Sequence, residues 1–72
     1  TLLLKDGRGL VPVPVADIRY VAAEGPYSRV HLGGRSLLVN HLLAELQERL
    51  PGKEFVRVHR SYIVALAHTS RV

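Results

Sequence analysis

The stretch that decides the fold is Phe55-Val-Arg-Val-His-Arg-Ser-Tyr-Ile-Val64. It reads as two apolar strands interrupted by three consecutive polar residues, His59, Arg60 and Ser61. Alternation holds to Val58, with Val56 and Val58 on one face and Phe55 and Arg57 on the other. The period then breaks, and an apolar run opens at Tyr62. A break between two strand-like runs predicts a tight connection, here one carrying long donor-rich side chains side by side. Residues 55–72 hold Arg57, Arg60 and Arg71 and no acid, and all six acids of the chain lie earlier. A basic edge on a β scaffold points first toward phosphate.

The upstream half supplies the rest of that scaffold. Residues 2–5 read as a short strand, followed by turn chemistry at Asp6-Gly7 and Gly9. Residues 10–15 alternate, but Pro12 and Pro14 lack ladder donors, so this segment is expected at an edge. Residues 18–22 form a β-branched and aromatic strand, and Glu24-Gly25-Pro26 a loop. Residues 27–32 alternate, with Tyr27, Arg29 and His31 on one face and Ser28, Val30 and Leu32 on the other. Gly33-Gly34 predicts a two-residue hairpin turn into a strand at 35–39. The period then changes. Leu42, Leu43, Leu46 and Leu50 form one stripe of a helix at about 41–50, with Asn40 as N-cap, a Glu45–Arg49 pair on the open face and Pro51-Gly52 as the stop. The expected fold is mostly β, as small antiparallel sheets in an elongated arrangement with one short α-helix.

Seventy-two residues make one small domain, whose core is marginal without a staple or partner. There is no Cys, hence no disulfide framework and no thiolate metal site, which fits a reducing cytoplasm. The apolar runs are too short to span a membrane, and the N-terminus lacks signal-peptide character. The chain does not begin with Met, so it is expected to be part of something longer. Net charge is +4 and the pI near 10.1, which modestly favours a polyanionic partner.

The His59-Arg60-Ser61 connection has two readings. The bland one is a solvated polar turn, the commoner case on residues alone. The functional one is base and phosphate contact, because Arg can grip guanine O6 and N7 bidentately or clamp a phosphate. Gly25-Pro-Tyr-Ser-Arg29 is the second candidate loop, against the bland reading of a loop feeding a strand. His31, His41, His59 and His68 match no metal-binding spacing and read as structural or solvent-facing. No nucleophile elbow, Gly-rich phosphate loop or paired carboxylates argue for an enzyme. Glu45 and Glu48 read as solubilising. Arg19, Arg35 and Lys53 read as solvated cations with some reach toward phosphate.

Three segments together resemble the LytTR DNA-binding domain, found at the C-terminus of many bacterial response regulators. They are FVRVHRSYIVAL at 55–66, Ala16-Asp-Ile-Arg-Tyr-Val-Ala-Ala-Glu-Gly-Pro-Tyr-Ser-Arg-Val30, and HLLAELQERLPGKEF at 41–55, in family order and spacing. The resemblance implies sequence-specific binding of double-stranded DNA by loops that enter successive grooves. It places Arg60 in a loop entering the major groove, His59 beside it as contact or brace, and Ser28 at a base-contacting position. Arg29 and Arg57 are then expected on phosphates. It further implies dimeric binding to repeated half-sites, an upstream receiver or sensor domain, and no cofactor. Ala65 stands where the family usually has Asn, expected to affect the loop. The family domain continues beyond the position of Val72, so an open sheet edge and self-association through it are expected. The alternative function is a small β-rich protein-interaction module with a basic surface. Single-stranded RNA binding wants clustered stacking aromatics, and three Tyr and one Phe scattered along the chain argue against it.

Overall fold

The computed structural model describes residues 1–66. Within them the chain runs β1 (Leu2–Lys5), β2 (Leu10–Val13), a 3-10 turn (Val15–Asp17), β3 (Tyr20–Glu24), β4 (Tyr27–His31), β5 (Ser36–Val39), α1 (Leu43–Arg49), β6 (Phe55–His59) and β7 (Tyr62–Ala65). β1 and β2 pair as a separate hairpin, and the other strands form one antiparallel sheet in the order β5-β4-β3-β7-β6. The mostly β, elongated arrangement expected from the sequence is the one observed, with extents of 39 × 22 × 20 Å.

The alternation of β4 fixes which face is inside. Ser28, Val30 and Leu32 are buried, whereas Tyr27 is exposed and Arg29 and His31 are partly so. Val30 stands opposite Val21 and Leu37, and Val21 opposite Ile63, so one apolar row crosses β5, β4, β3 and β7. Leu43, Leu46 and Leu50 cover this face from α1, and Leu4 and Val13 from the hairpin, all in one buried cluster.

The helix departs from expectation at its start. It begins at Leu43, and its N-cap is Leu42 rather than Asn40. Asn40 donates its N–H to the Lys5 carbonyl at 2.7 Å instead. His41 is held as well: its Nε2 accepts from Lys5 N–H at 3.1 Å and its carbonyl from the Ser28 hydroxyl at 2.7 Å. These long-range bonds keep 40–41 out of the helix. Leu42 is consequently exposed, and the stripe reduces to Leu43, Leu46 and Leu50. The expected Glu45–Arg49 pair does not form. Glu45 Oε1 accepts the Leu42 N–H at 2.8 Å, and Arg49 Nη2 donates to the Leu3 carbonyl at 2.9 Å. Leu50 precedes Pro51 and turns extended at ψ 145°, so proline rather than a left-handed glycine stops the helix.

Strand ends shift too. β3 begins at Tyr20 and runs through Glu24, leaving Gly25-Pro26 as a two-residue hairpin turn with Glu24 opposite Tyr27. Gly25 takes φ 59°, which only glycine adopts without cost, and the proline after it is pre-set for the following position. β7, the last described strand, lies between β3 and β6, so among the described residues the edges of the sheet are β5 and β6. The open edge expected at residues 67–72, with His68 and Arg71, lies outside the described residues.

Candidate nucleic-acid interface

The β6–β7 connection is tighter than the sequence suggests. His59 belongs to β6 and stands opposite Tyr62, leaving a turn of Arg60 and Ser61. The register slips between Arg57 and His59, making Val58 the extra residue of a bulge. A bulge re-aims the side chains beside it and bends the strand. Here it leaves Val58 without a register partner, while its 57% exposure matches Val56 at 40% on the same outer face, as the alternation predicts.

Arg57 braces this turn with two of its nitrogens and reaches α1 with the third. Its Nε donates to the His59 carbonyl at 3.1 Å, its Nη2 to the Arg60 carbonyl at 2.7 Å and its Nη1 to Gln47 Oε1 on α1 at 2.8 Å. His59 adds a second brace. Its Nδ1 accepts the Ser61 N–H at 3.1 Å, and its ring lies tilted against Tyr62 with centroids 5.8 Å apart. Arg60 itself is exposed, and its guanidinium has no partner among the described residues. The turn thus holds one free cation at its tip on a frame fixed by Arg57 and His59.

The second loop lies at the same end of the sheet. Ala23 N–H donates to the Ser61 carbonyl at 2.8 Å, joining the end of β3 to the β6–β7 turn. The Gly25-Pro26 turn therefore stands beside Arg60. Across that hairpin Arg29 grips Glu24, Nε to Oε2 at 2.6 Å and Nη2 to Oε1 at 3.2 Å. The Arg29 guanidinium holds the Glu24 carboxyl below its ordinary value of 4.5, and the same hydrogen bond holds Arg29 above its own. A depressed carboxyl stabilises the fold above its unfolded value and ceases to do so as the pH falls through the folded one. The difference in melting temperature between the wild type and Glu24→Gln is therefore expected to be present at neutral pH and to close in the acid range below 4.5. A difference independent of pH would mean the pair does not form in solution.

The structure brings Arg57, His59, Arg60 and Arg29 to one region, but it separates Ser28 from them. Ser28 is 0% exposed on the inner face, with its hydroxyl committed to the His41 carbonyl. A side chain so placed does not reach a base, and the expectation of a Ser28 contact is corrected: Ser28 ties β4 to the start of the helical segment. The family motif locates the loop, but alternation sends this residue inward. Ser28→Ala is expected to cost about 1–3 kcal/mol of stability by orphaning a buried carbonyl. Chemical denaturation measures this, and an unchanged midpoint would place Ser28 outside the core.

Arg57 is likewise a brace rather than a free phosphate cation, and Arg29 is neutralised by Glu24. Sequence reasoning missed Gln47, Glu24 and Tyr62 as supports. Glu24 and Arg29 flank a recognisable hairpin turn and were findable; Gln47 meets Arg57 only through the docking of α1. Ala65 is buried and pairs with Phe55 at the far end of β7 from the turn, so its replacement of Asn does not bear on the turn directly. The aromatics are not scattered in space. Tyr20, Tyr27 and Tyr62 all stand on the outer face, with Tyr20 stacked on His31 at 4.1 Å. Phe55 alone is inside. Among the described residues no group of His, Cys, Asp or Glu could hold a metal ion, and no helix is long and apolar enough to cross a membrane.

The LytTr DNA-binding domain family model matches residues 8–72. The CO-responsive transcriptional regulator RcoM of Rhodospirillum rubrum is 52% identical over 56 residues, covering 78% of this chain and 24% of that protein. The sensory transduction protein LytT of Bacillus subtilis is 35% identical over 63 residues, covering 88% of this chain and 26% of that protein. The chain thus spans about a quarter of the length of these relatives. A solved LytTr DNA-binding domain of a response regulator from Bacillus cereus superposes with a TM-score of 0.82 at 30% identity, covering 97% of this chain and 64% of that one.

Proposed function

Since the chain belongs to the LytTr DNA-binding domain family, we propose that it reads a specific duplex sequence as the output domain of a cytoplasmic transcription regulator, with the β6–β7 turn inserted into the major groove. Arg60 is the principal base-reading residue. The observation that carries this is the contrast at the turn: Arg60 is exposed and its guanidinium has no partner among the described residues, while Arg57 and His59 Nδ1 brace the turn that carries it. Such a frame fixes the orientation of one long side chain, which is what bidentate recognition of a base requires. His59 has its Nε2 edge left for a secondary contact. Arg29 meets phosphate only by sharing its charge with Glu24. An upstream sensor or receiver domain controls the output, in keeping with the signal-responsive relatives, and two copies bind repeated half-sites.

Competition binding in the full-length protein tests the reading. A selected duplex should hold against excess random duplex, whereas equal displacement by both favours the interaction-module alternative. Arg57→Ala sharpens the test. It is expected to weaken selected-site binding on the order of tenfold while leaving the salt dependence unchanged, because it frees the turn without removing a phosphate contact. Lys should not rescue it, since an ammonium cannot fork to two carbonyls and an amide. A salt slope reduced by about one would instead make Arg57 a phosphate contact.

A further inference from the structure

At the end of the sheet opposite Arg60, the β4–β5 turn carries a second basic feature. Gly33 and Gly34 wall a shallow cleft together with Asp17, Arg19, Leu32 and Arg35. Arg19 lies over the turn: a Cβ added at Gly33 would sit 3.8 Å from its Nη2 and 3.9 Å from its Nε. Gly34 faces open space. The turn closes through Leu32 N–H to the Arg35 carbonyl at 2.7 Å, and the N–H groups of Gly33 and Gly34 have no acceptor among the described residues. The guanidinium groups of Arg19 and Arg35 are unpaired in the same sense, whereas those of Arg29, Arg49 and Arg57 are committed to Glu24, the Leu3 carbonyl and the Arg60 turn.

We propose that this cleft is a binding site for a phosphate group. Its lining offers two planar, weakly hydrated guanidinium groups and two glycines whose N–H groups have no acceptor among the described residues. That donor set matches the several oxygens of a phosphate and resembles the backbone concavities that hold anions. Asp17 lines the cleft as well, which leaves it one net positive charge. β4 spans the sheet between this cleft and the Gly25-Pro26 turn beside Arg60, about 13–17 Å for its length. The site is therefore separate from the base-reading turn and does not depend on Arg60 reading a base. The phosphate comes either from the backbone of the same duplex or from a free phosphorylated small molecule.

Inorganic phosphate titrated into the full-length protein, carrying ¹⁵N-glycine with Gly33 and Gly34 assigned by substitution, tests the site without DNA. Saturable shifts are expected at those two amides, weakened on the order of tenfold in Arg19→Gln and lost in the Arg19→Gln, Arg35→Gln double variant. Both arginines are exposed, so these variants are expected to stay folded. Absent shifts, or equal shifts at Gly7 and Gly52, overturn the proposal. Salt dependence of duplex binding then identifies the source. A slope lowered by about one or two in the double variant assigns the phosphate to the duplex, and an unchanged slope beside a positive titration assigns it to a small molecule.

Discussion

Leu46→Ala is expected to lower the stability of the folded chain by about 2–5 kcal/mol. Leu46 is 1% exposed, at the centre of a helix of seven residues. Two turns of helix do not persist alone in water, so α1 exists because Leu43, Leu46 and Leu50 pack on the sheet. Removing the middle contact leaves a cavity on the face that also holds Val21, Val30 and Ile63. The loss is a large part of what a domain of this size has to lose. Urea denaturation followed by circular dichroism measures it. Leu42→Ala is the control: it lies 53% exposed before the first helical residue, and its cost should stay within about 0.5 kcal/mol. Equal costs at the two positions would restore the wider stripe read from the sequence and shift the helix's buried face.

Arg60→Ala is expected to weaken binding to the selected duplex by about 1–3 kcal/mol and to affect random duplex much less. The Arg60 side chain has no partner among the described residues, and the carbonyl that Arg57 grips is kept in the variant, so its melting temperature should stay at the wild-type value. That separates it from Arg57, which braces the same turn. Titrations on both duplexes at several salt concentrations decide the role. Equal losses on the two, with a lower salt slope, would make Arg60 a phosphate contact. No loss on either would remove the turn from the interface.

What was legible in the residues was local. Alternation through Ser28, Val30 and Leu32 gave the inner face of β4, the Gly-Pro and Gly-Gly pairs gave turns, and the interruption at His59-Arg60-Ser61 located the exposed cation. The family resemblance then implies duplex DNA as the partner of that cation. Asn40 was misread because a good capping residue signals a helix start only where its backbone is free, and here Lys5 takes its N–H. Ser28 was misread because sequence proximity to a loop does not say which way a strand residue points.

The sequence by itself determined the element types and the basic end of the chain, since these rest on periodicity and composition, and its motifs carry the resemblance to the family to which it belongs. Tertiary structure alone decided which cations remain free. Three arginines look alike in sequence at positions 29, 57 and 60, yet Glu24 neutralises the first, two turn carbonyls and Gln47 on α1 hold the second, and the third has no partner among the described residues. The Arg57–Gln47 bond joins residues on separate elements, and the Ala23–Ser61 bond joins the end of β3 to the β6–β7 turn across 38 positions. Contacts of that kind depend on strand order and on the docking of the helix, and no local pattern encodes them.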